Sequence, residues 1–278
     1  MMGIIERVVG IGRLGDQSGG AAWKKVIGGP PEKGSGWEPL KAGTLLGDRY
    51  KVERFLFWDG RHNHYVARDM GDKGIYELKE SPPNQGTEVE REIVSKQLDH
   101  EGMVRRYRLF AEDSRTYVVS DYHRAPDLEE SGRVLSAADI LGIAFNVADT
   151  LDYLHSHGIA RIELSTRNIK DMGDVQKIID FSGCRLFSDP STGEFSEAKG
   201  RDFLGLVDLL ERLTFGIMEE SEDPSLLYLI AGLEEMVTNP PVSAEDFRER
   251  LSRLHKMVAN MEVWWNTDER SAFTSGNP

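Results

Sequence analysis

From Leu45 onward apolar and polar positions alternate with a period of two through YKVERFLFW (50–58) and HNHYVARD (62–69). These runs are rich in aromatic and β-branched residues, so they predict half-buried strands. GIYELKES (74–81) predicts a third strand, stopped by Pro82-Pro83. The period then changes: TEVEREIVSKQL (87–98) has a narrow apolar stripe at helical spacing and predicts a polar helix. RRYRLFAEDSRTYVVSDY (105–122) predicts a hairpin turning at Glu112-Asp113-Ser114. Five strands and one helix thus form a small β-rich half. Beyond Pro126 the pattern is helical. Ser136 opens a capping box with Asp139, and Ile140, Ala144, Val147, Leu151 and Leu154 repeat on one face. Phe203–Phe215 is apolar nearly all round, which predicts a central buried helix. Pro224–Val237 predicts another helix. Ser243 opens a last one, with Asp246 at the capping-box position and Phe247, Leu251 and Leu254 on one face. From Trp264 the chain is expected to fray.

The first 36 residues differ in kind, with ten glycines and only two short apolar patches. Such a stretch loses much entropy on ordering and buries little, so it reads as a loose extension or a docking segment. The chain of 278 residues carries a net charge of -13, which argues against binding nucleic acid or an anionic membrane surface. A single cysteine, Cys184, allows no internal disulfide and fits a reducing compartment. No apolar run is long enough to span a bilayer. Charged Glu6, Arg7 and Arg13 interrupt the first apolar run, which predicts no secretory signal and a cytoplasmic location.

Several short stretches fall in one order: YVARD, LDHEGMV, YLHSHGI, KIIDFSG and PVSAEDFRERL. Together with the opening LKAGTLLGDRYKVERFL they resemble the bacterial-type serine/threonine protein kinases of the protein kinase-like superfamily, from about Leu40 to Leu254. The resemblance implies an α+β fold of two lobes, a small antiparallel β-sheet lobe with one helix and a larger, mainly α-helical lobe. It divides the chain into a Gly-rich N-terminal extension (1–39), an N-lobe (40–122), a C-lobe (123–262) and a C-terminal tail (263–278).

The same register shows where this chain departs from the family. A working kinase covers the phosphates with G-x-G-x-x-G so that bare backbone can approach them. Those three glycine positions are Phe57, Asp59 and His62 here. Asp59 would place negative charge near a triphosphate. The alanine expected over an adenine ring is Glu77, a carboxylate that requires a partner of its own. Lys79 is kept, and Glu90 and Glu92 both stand as its helix partner. The family's His-Arg-Asp reads Arg161-Ile162-Glu163. Glu163, at the position of the catalytic base, is one methylene longer than the expected Asp, and a misplacement of about 1 Å can cost on the order of a hundredfold in rate. The usual Lys that neutralises the transferred phosphate is Ser165. Asn168 keeps its place. In KIIDFSG, Asp180 and Phe181 are kept, and the usual Gly is Ser182. Asn168 and Asp180 could hold a metal only if a nucleotide supplied further oxygens. Asp202 comes only 22 positions after Asp180, no Ala-Pro-Glu follows, and Ile162 replaces the arginine that would receive an activation-loop phosphate. Asp202 matches the residue that braces the catalytic-loop backbone, a structural role shared with Phe181.

The resemblance therefore implies a vestigial nucleotide site at Lys79, Glu90, Glu92, Asn168 and Asp180, with no call for ATP or magnesium, and a catalytically impaired pseudokinase working through protein partners. Two alternatives stand beside it: a residual serine/threonine kinase with Glu163 as base, and a nucleotide-sensing switch without phosphoryl transfer. Outside this frame, His62 and His64 point the same way on a strand, as metal ligands can. With no third ligand in the pattern, they read as surface histidines. Cys184 reads as a small packed residue, and Trp264-Trp265 as packing on the large lobe.

Overall fold

The computed structural model describes residues 38–82, 87–218, 225–241 and 243–274, with backbone alone from residue 262. The Gly-rich extension and its two apolar patches lie outside the described residues. So do the side chains of Trp264 and Trp265. The described residues divide into two compact units, one formed by those up to Thr87 with Tyr107–Tyr122, the other by Glu88–Arg106 with those from His123 onward.

The first unit is a six-stranded sheet: β1 (Leu45–Leu46), β2 (Tyr50–Trp58), β3 (Asn63–Asp69), β4 (Ile75–Ser81), β5 (Arg106–Glu112) and β6 (Arg115–Asp121). Its order is β1-β2-β3-β4-β6-β5, and the pairs from β1 through β4 to β6 are antiparallel. The period-two alternation sends Val52, Tyr65, Ala67, Leu78, Tyr117 and Val119 into one core with Leu46 and Tyr50. Tyr50, Phe110 and Tyr117 stack in series within it, with neighbouring ring centroids 5.9 Å and 5.3 Å apart. The other face takes His64 and Val66 from β3, Glu77 and Lys79 from β4 and Val118 from β6, by register.

The second unit contains helices α1 (Glu88–Ser95), α2 (Ala137–Ser156), α3 (Gly193–Met218), α4 (Ser225–Thr238) and α5 (Ala244–Thr274). Four short strands, β7 (Ile159–Ala160), β8 (Ile169–Asp171), β9 (Gln176–Ile178) and β10 (Arg185–Leu186), pair as β7–β10 and β8–β9. The core is built from α2, α3 and α4 with Phe247, Leu251, Leu254 and Val258 of α5. The capping box at Ser136 forms in both directions, and Ser243 Oγ accepts the Asp246 N–H at 3.1 Å.

Three boundaries differ from the sequence pattern. β1 is only two residues long, below what alternation can register. α3 starts at Gly193 rather than Phe203. Thr192 Oγ1 accepts the Phe195 N–H at 3.2 Å, and Phe195 and Ala198 pack with Ala160 and Phe187. Two glycines and several charges hide that anchoring in the sequence. The backbone stays helical past Trp264 to Thr274, and no Gly or Pro interrupts that stretch.

Candidate functional site

In the sheet unit, the β2–β3 turn decides what can approach. Gly60 supplies its left-handed residue, φ +97°. Asp59 Oδ1 accepts the N–H groups of Arg61 and His62, both at 2.7 Å, closing an Asx turn. Asp59 Oδ2 faces two imidazoles, His62 Nδ1 at 2.9 Å and His64 Nε2 at 3.2 Å. His64 Nδ1 lies 2.8 Å from Glu77 Oε1. Phe57 stacks on the His64 ring, centroids 4.4 Å apart. All three family glycine positions are therefore filled by side chains packed on one another.

The electrostatics follow from this geometry. Burial pushes the His64 imidazolium down, but hydrogen bonds to Asp59 and Glu77 outweigh it and lift the group to about 9. Burial pushes the Asp59 carboxyl up, while hydrogen bonds from His62 and His64 hold it well below the usual carboxylate range. Glu77 thus has the partner that its position demands. The reading of His62 and His64 as surface histidines is corrected: they are 4% and 8% exposed, and the turn brings Asp59 to them as the third donor. The missed signal was an Asp three residues before His62 across a Gly-containing tight turn. Lys79 is buried on β4, opposite His64 on β3 and Val118 on β6.

In the helical unit, α1 buries Glu90 together with Val89 and Ile93. Glu92 instead pairs with Lys96 one turn on, at 2.5 Å. The catalytic loop follows β7. Arg161 adopts a left-handed backbone, φ 62°, uncommon for a non-glycine residue. Asp202 on α3 holds it there. Its carboxylate accepts the N–H of Arg161 at 3.0 Å and of Ile162 at 2.8 Å, and His155 Nε2 lies 2.8 Å away. Glu163 is exposed, and its Oε2 lies 3.4 Å from where a Cβ on Gly183 would stand. Asn168 Nδ2 donates to the Glu163 carbonyl at 3.1 Å. Glu129, which the sequence pattern did not mark, clamps the same loop. It accepts from Thr166 Oγ1 at 3.1 Å and from Arg167 Nε and Nη2 at 3.0 and 3.1 Å.

The retained Asp180 is turned onto its own loop. Its Oδ1 accepts the Ser182 N–H at 3.1 Å and its Oδ2 accepts the Ser182 hydroxyl at 2.8 Å. The residue that replaces the family's glycine therefore adds one hydroxyl donor to the carboxylate. Phe181 is fully buried, with the Arg106 guanidinium 4.8 Å from its ring centroid. Arg106 also donates to the carbonyls of Val104 at 2.8 Å and Ile179 at 2.5 Å. Cys184 packs at the edge of the core, as a small residue would. From there β10 pairs with β7, and the chain enters α3 at Gly193.

Residues 64–201 match the family model described as the protein kinase domain. The tyrosine-protein kinase Src64B of Drosophila melanogaster is 27% identical over 162 residues, 53% of this chain and 29% of that protein. The serine/threonine-protein kinase Nek11 of Macaca fascicularis is 26% identical over 160 residues, 51% of this chain and 25% of that protein. The chain thus spans between a quarter and a third of the length of these curated relatives. The crystal structure of the Mycobacterium tuberculosis PknI kinase domain matches with a TM-score of 0.60 at 20% identity, over 80% of this chain and 100% of that one. At that identity the likeness concerns the fold.

Proposed function

We propose that this chain, which belongs to the protein kinase-like superfamily, is a pseudokinase: a kinase-shaped regulatory or scaffolding module that binds protein partners and does not transfer phosphate. The observation that carries this reading is the closed Asp180–Ser182 loop. A metal-binding aspartate works by offering its oxygens to magnesium held on a nucleotide, and here the Ser182 hydroxyl, which the family's glycine lacks, adds a hydrogen bond to Oδ2 beside the backbone N–H bond to Oδ1. The donor set does not fit magnesium-ATP elsewhere either. Phe57, Asp59 and His62 occupy positions where bare backbone would approach phosphates, and Asp59 adds like charge. Glu163 and Ser165 replace the base and the cation of a working loop.

Thermal unfolding of the full chain with and without ATP and magnesium tests the reading. A ligand at a hundred times its dissociation constant adds about 2.7 kcal/mol, a shift of several degrees. The expected result is no shift, with no phosphate transferred to the protein itself or to a generic substrate. A shift without transfer would move the assignment to a nucleotide sensor. Transfer would restore Glu163 as a base.

A further inference from the structure

We propose that the β2–β3 turn is a divalent transition-metal site, with Asp59 Oδ2, His62 Nδ1 and His64 Nε2 as ligands and Glu77 as the group that orients His64. The donor atoms of Asp59, His62 and His64 all lie within 4.8 Å of one another. More telling are the two shortest separations, 2.9 Å from His62 Nδ1 and 3.2 Å from His64 Nε2 to the same carboxylate oxygen. Around a tetrahedral zinc ion with bonds of about 2.0–2.1 Å, neighbouring ligand atoms stand about 3.3–3.4 Å apart. Both histidine–carboxylate separations are therefore already near coordination spacing, and with the two ring nitrogens within 4.8 Å of each other a modest rearrangement admits the ion.

The second observation is the far side of the His64 ring. Nδ1 meets Glu77 Oε1 at 2.8 Å, the carboxylate–histidine–metal relay that fixes a ring's orientation and tautomer and raises its basicity. Nδ1–H donates to Glu77, and Nε2 turns its lone pair to the ion. The metal takes the place of the proton on His64 Nε2, which leaves to solvent, and His62 binds as the tautomer with its proton on Nε2, leaving Nδ1 free for the ion. Phe57 stacked on the ring and the Asx turn at Asp59 pre-order the remaining geometry. Asp59 stands at the exposed turn and both histidines are buried, which leaves the fourth position toward the turn for water or an incoming donor. Two imidazoles and one carboxylate suit zinc and neighbouring transition ions over magnesium or calcium, which prefer oxygen alone. An ion here would tie β2, its turn, β3 and β4 together at the positions where the family keeps flexible glycines. The proposal stands apart from whether the chain transfers phosphate.

The test uses the full chain, stripped with chelator. Zinc is titrated against a competing chromophoric chelator, and cobalt(II) is added separately to read its visible absorption. Expected are one strong site, an intense tetrahedral cobalt spectrum, and a rise in melting temperature with zinc but none with magnesium. His64→Ala and Asp59→Asn abolish the strong site and the spectrum. Glu77→Gln, a positioning change, weakens zinc by about 10–100-fold while the metal-free variant keeps the parent's circular dichroism. If His64→Ala does not fold, Asp59→Asn and Glu77→Gln carry the test. Absence of a strong site overturns the proposal. So does a strong site that all three variants leave unchanged, which would locate the binding at other histidines.

Discussion

At the scale of single residues, Glu80 shows how a charge is kept inside the sheet unit. It is fully buried and faces four donors: Asn63 Nδ2 at 2.8 Å, Tyr65 OH at 2.7 Å, Tyr117 OH at 3.2 Å and the guanidinium of Arg115. A buried carboxylate costs several kcal/mol unless each lone pair is met, and removing it strands its partners. Burial raises both tyrosine hydroxyls above their ordinary range, with Glu80 adding to the effect, so neither ionises in its place. Glu80→Ala is expected to lower stability by on the order of 3 kcal/mol in urea unfolding. Glu80→Gln, which still accepts from the tyrosines, is expected to lose about half as much. Equal losses would mean that the volume of the side chain matters and its charge does not.

At the scale of elements, the capping box at Ser136 offers a measurement with a pH signature. Burial pushes the Asp139 carboxyl up, but hydrogen bonds from the Ser136 N–H and hydroxyl, with Arg133 nearby, hold it below its ordinary value. Its folded pKa is depressed, so its contribution is present above the unfolded carboxylate value and fades as pH falls through the folded one. Ser136→Ala is expected to cost about 1 kcal/mol at neutral pH, and the gap to the parent should narrow in acid; a gap independent of pH down to acid would place the cost elsewhere. Gly158, between α2 and the catalytic loop, has φ +74°, and a Cβ there would lie 2.7 Å from the Phe187 carbonyl oxygen, whose own N–H donates to the Gly158 carbonyl at 2.8 Å. Gly158→Ala is expected to cost about 1–3 kcal/mol and to loosen β10 from β7 in hydrogen exchange. These elements also show what the sequence could reveal. The capping box at Ser136, the cap at Ser243, the β5–β6 hairpin and the apolar face of α2 are local patterns, and they were legible. The first turns of α3 were not, because Phe195 and Ala198 find their partners Ala160 and Phe187 far away in sequence. Asp59 with His64 and Glu77, and Ser182 on Asp180, were missed for a related reason: residue types state what can bond, while turn geometry states what does.

At the scale of the whole molecule, the departures from a working kinase are spread over both units, and this bears on whether they can be reversed. In the helical unit three substitutions would restore the family's residues: Glu163→Asp, Ser165→Lys and Ser182→Gly. Glycine at 182 would remove the hydroxyl bond to Asp180 Oδ2 and keep the backbone N–H bond to Oδ1, and Asp at 163 would shorten the base by one methylene. Three features remain. The segment after Asp180 still pairs β10 with β7 and enters α3 at Gly193. Ile162 still lacks a charge to receive an activating phosphate. In the sheet unit Phe57, Asp59, His62 and His64 still fill the turn. Positioning and charge stabilisation act together in phosphoryl transfer, and residues that act as a unit are not restored one at a time. The triple variant is therefore expected to release no ADP above background and to transfer no phosphate to a generic peptide, while retaining the parent's fold by circular dichroism. Transfer by the triple variant would show that three side chains of the helical unit are enough for phosphoryl transfer, and that the packed turn of the sheet unit is no obstacle to it.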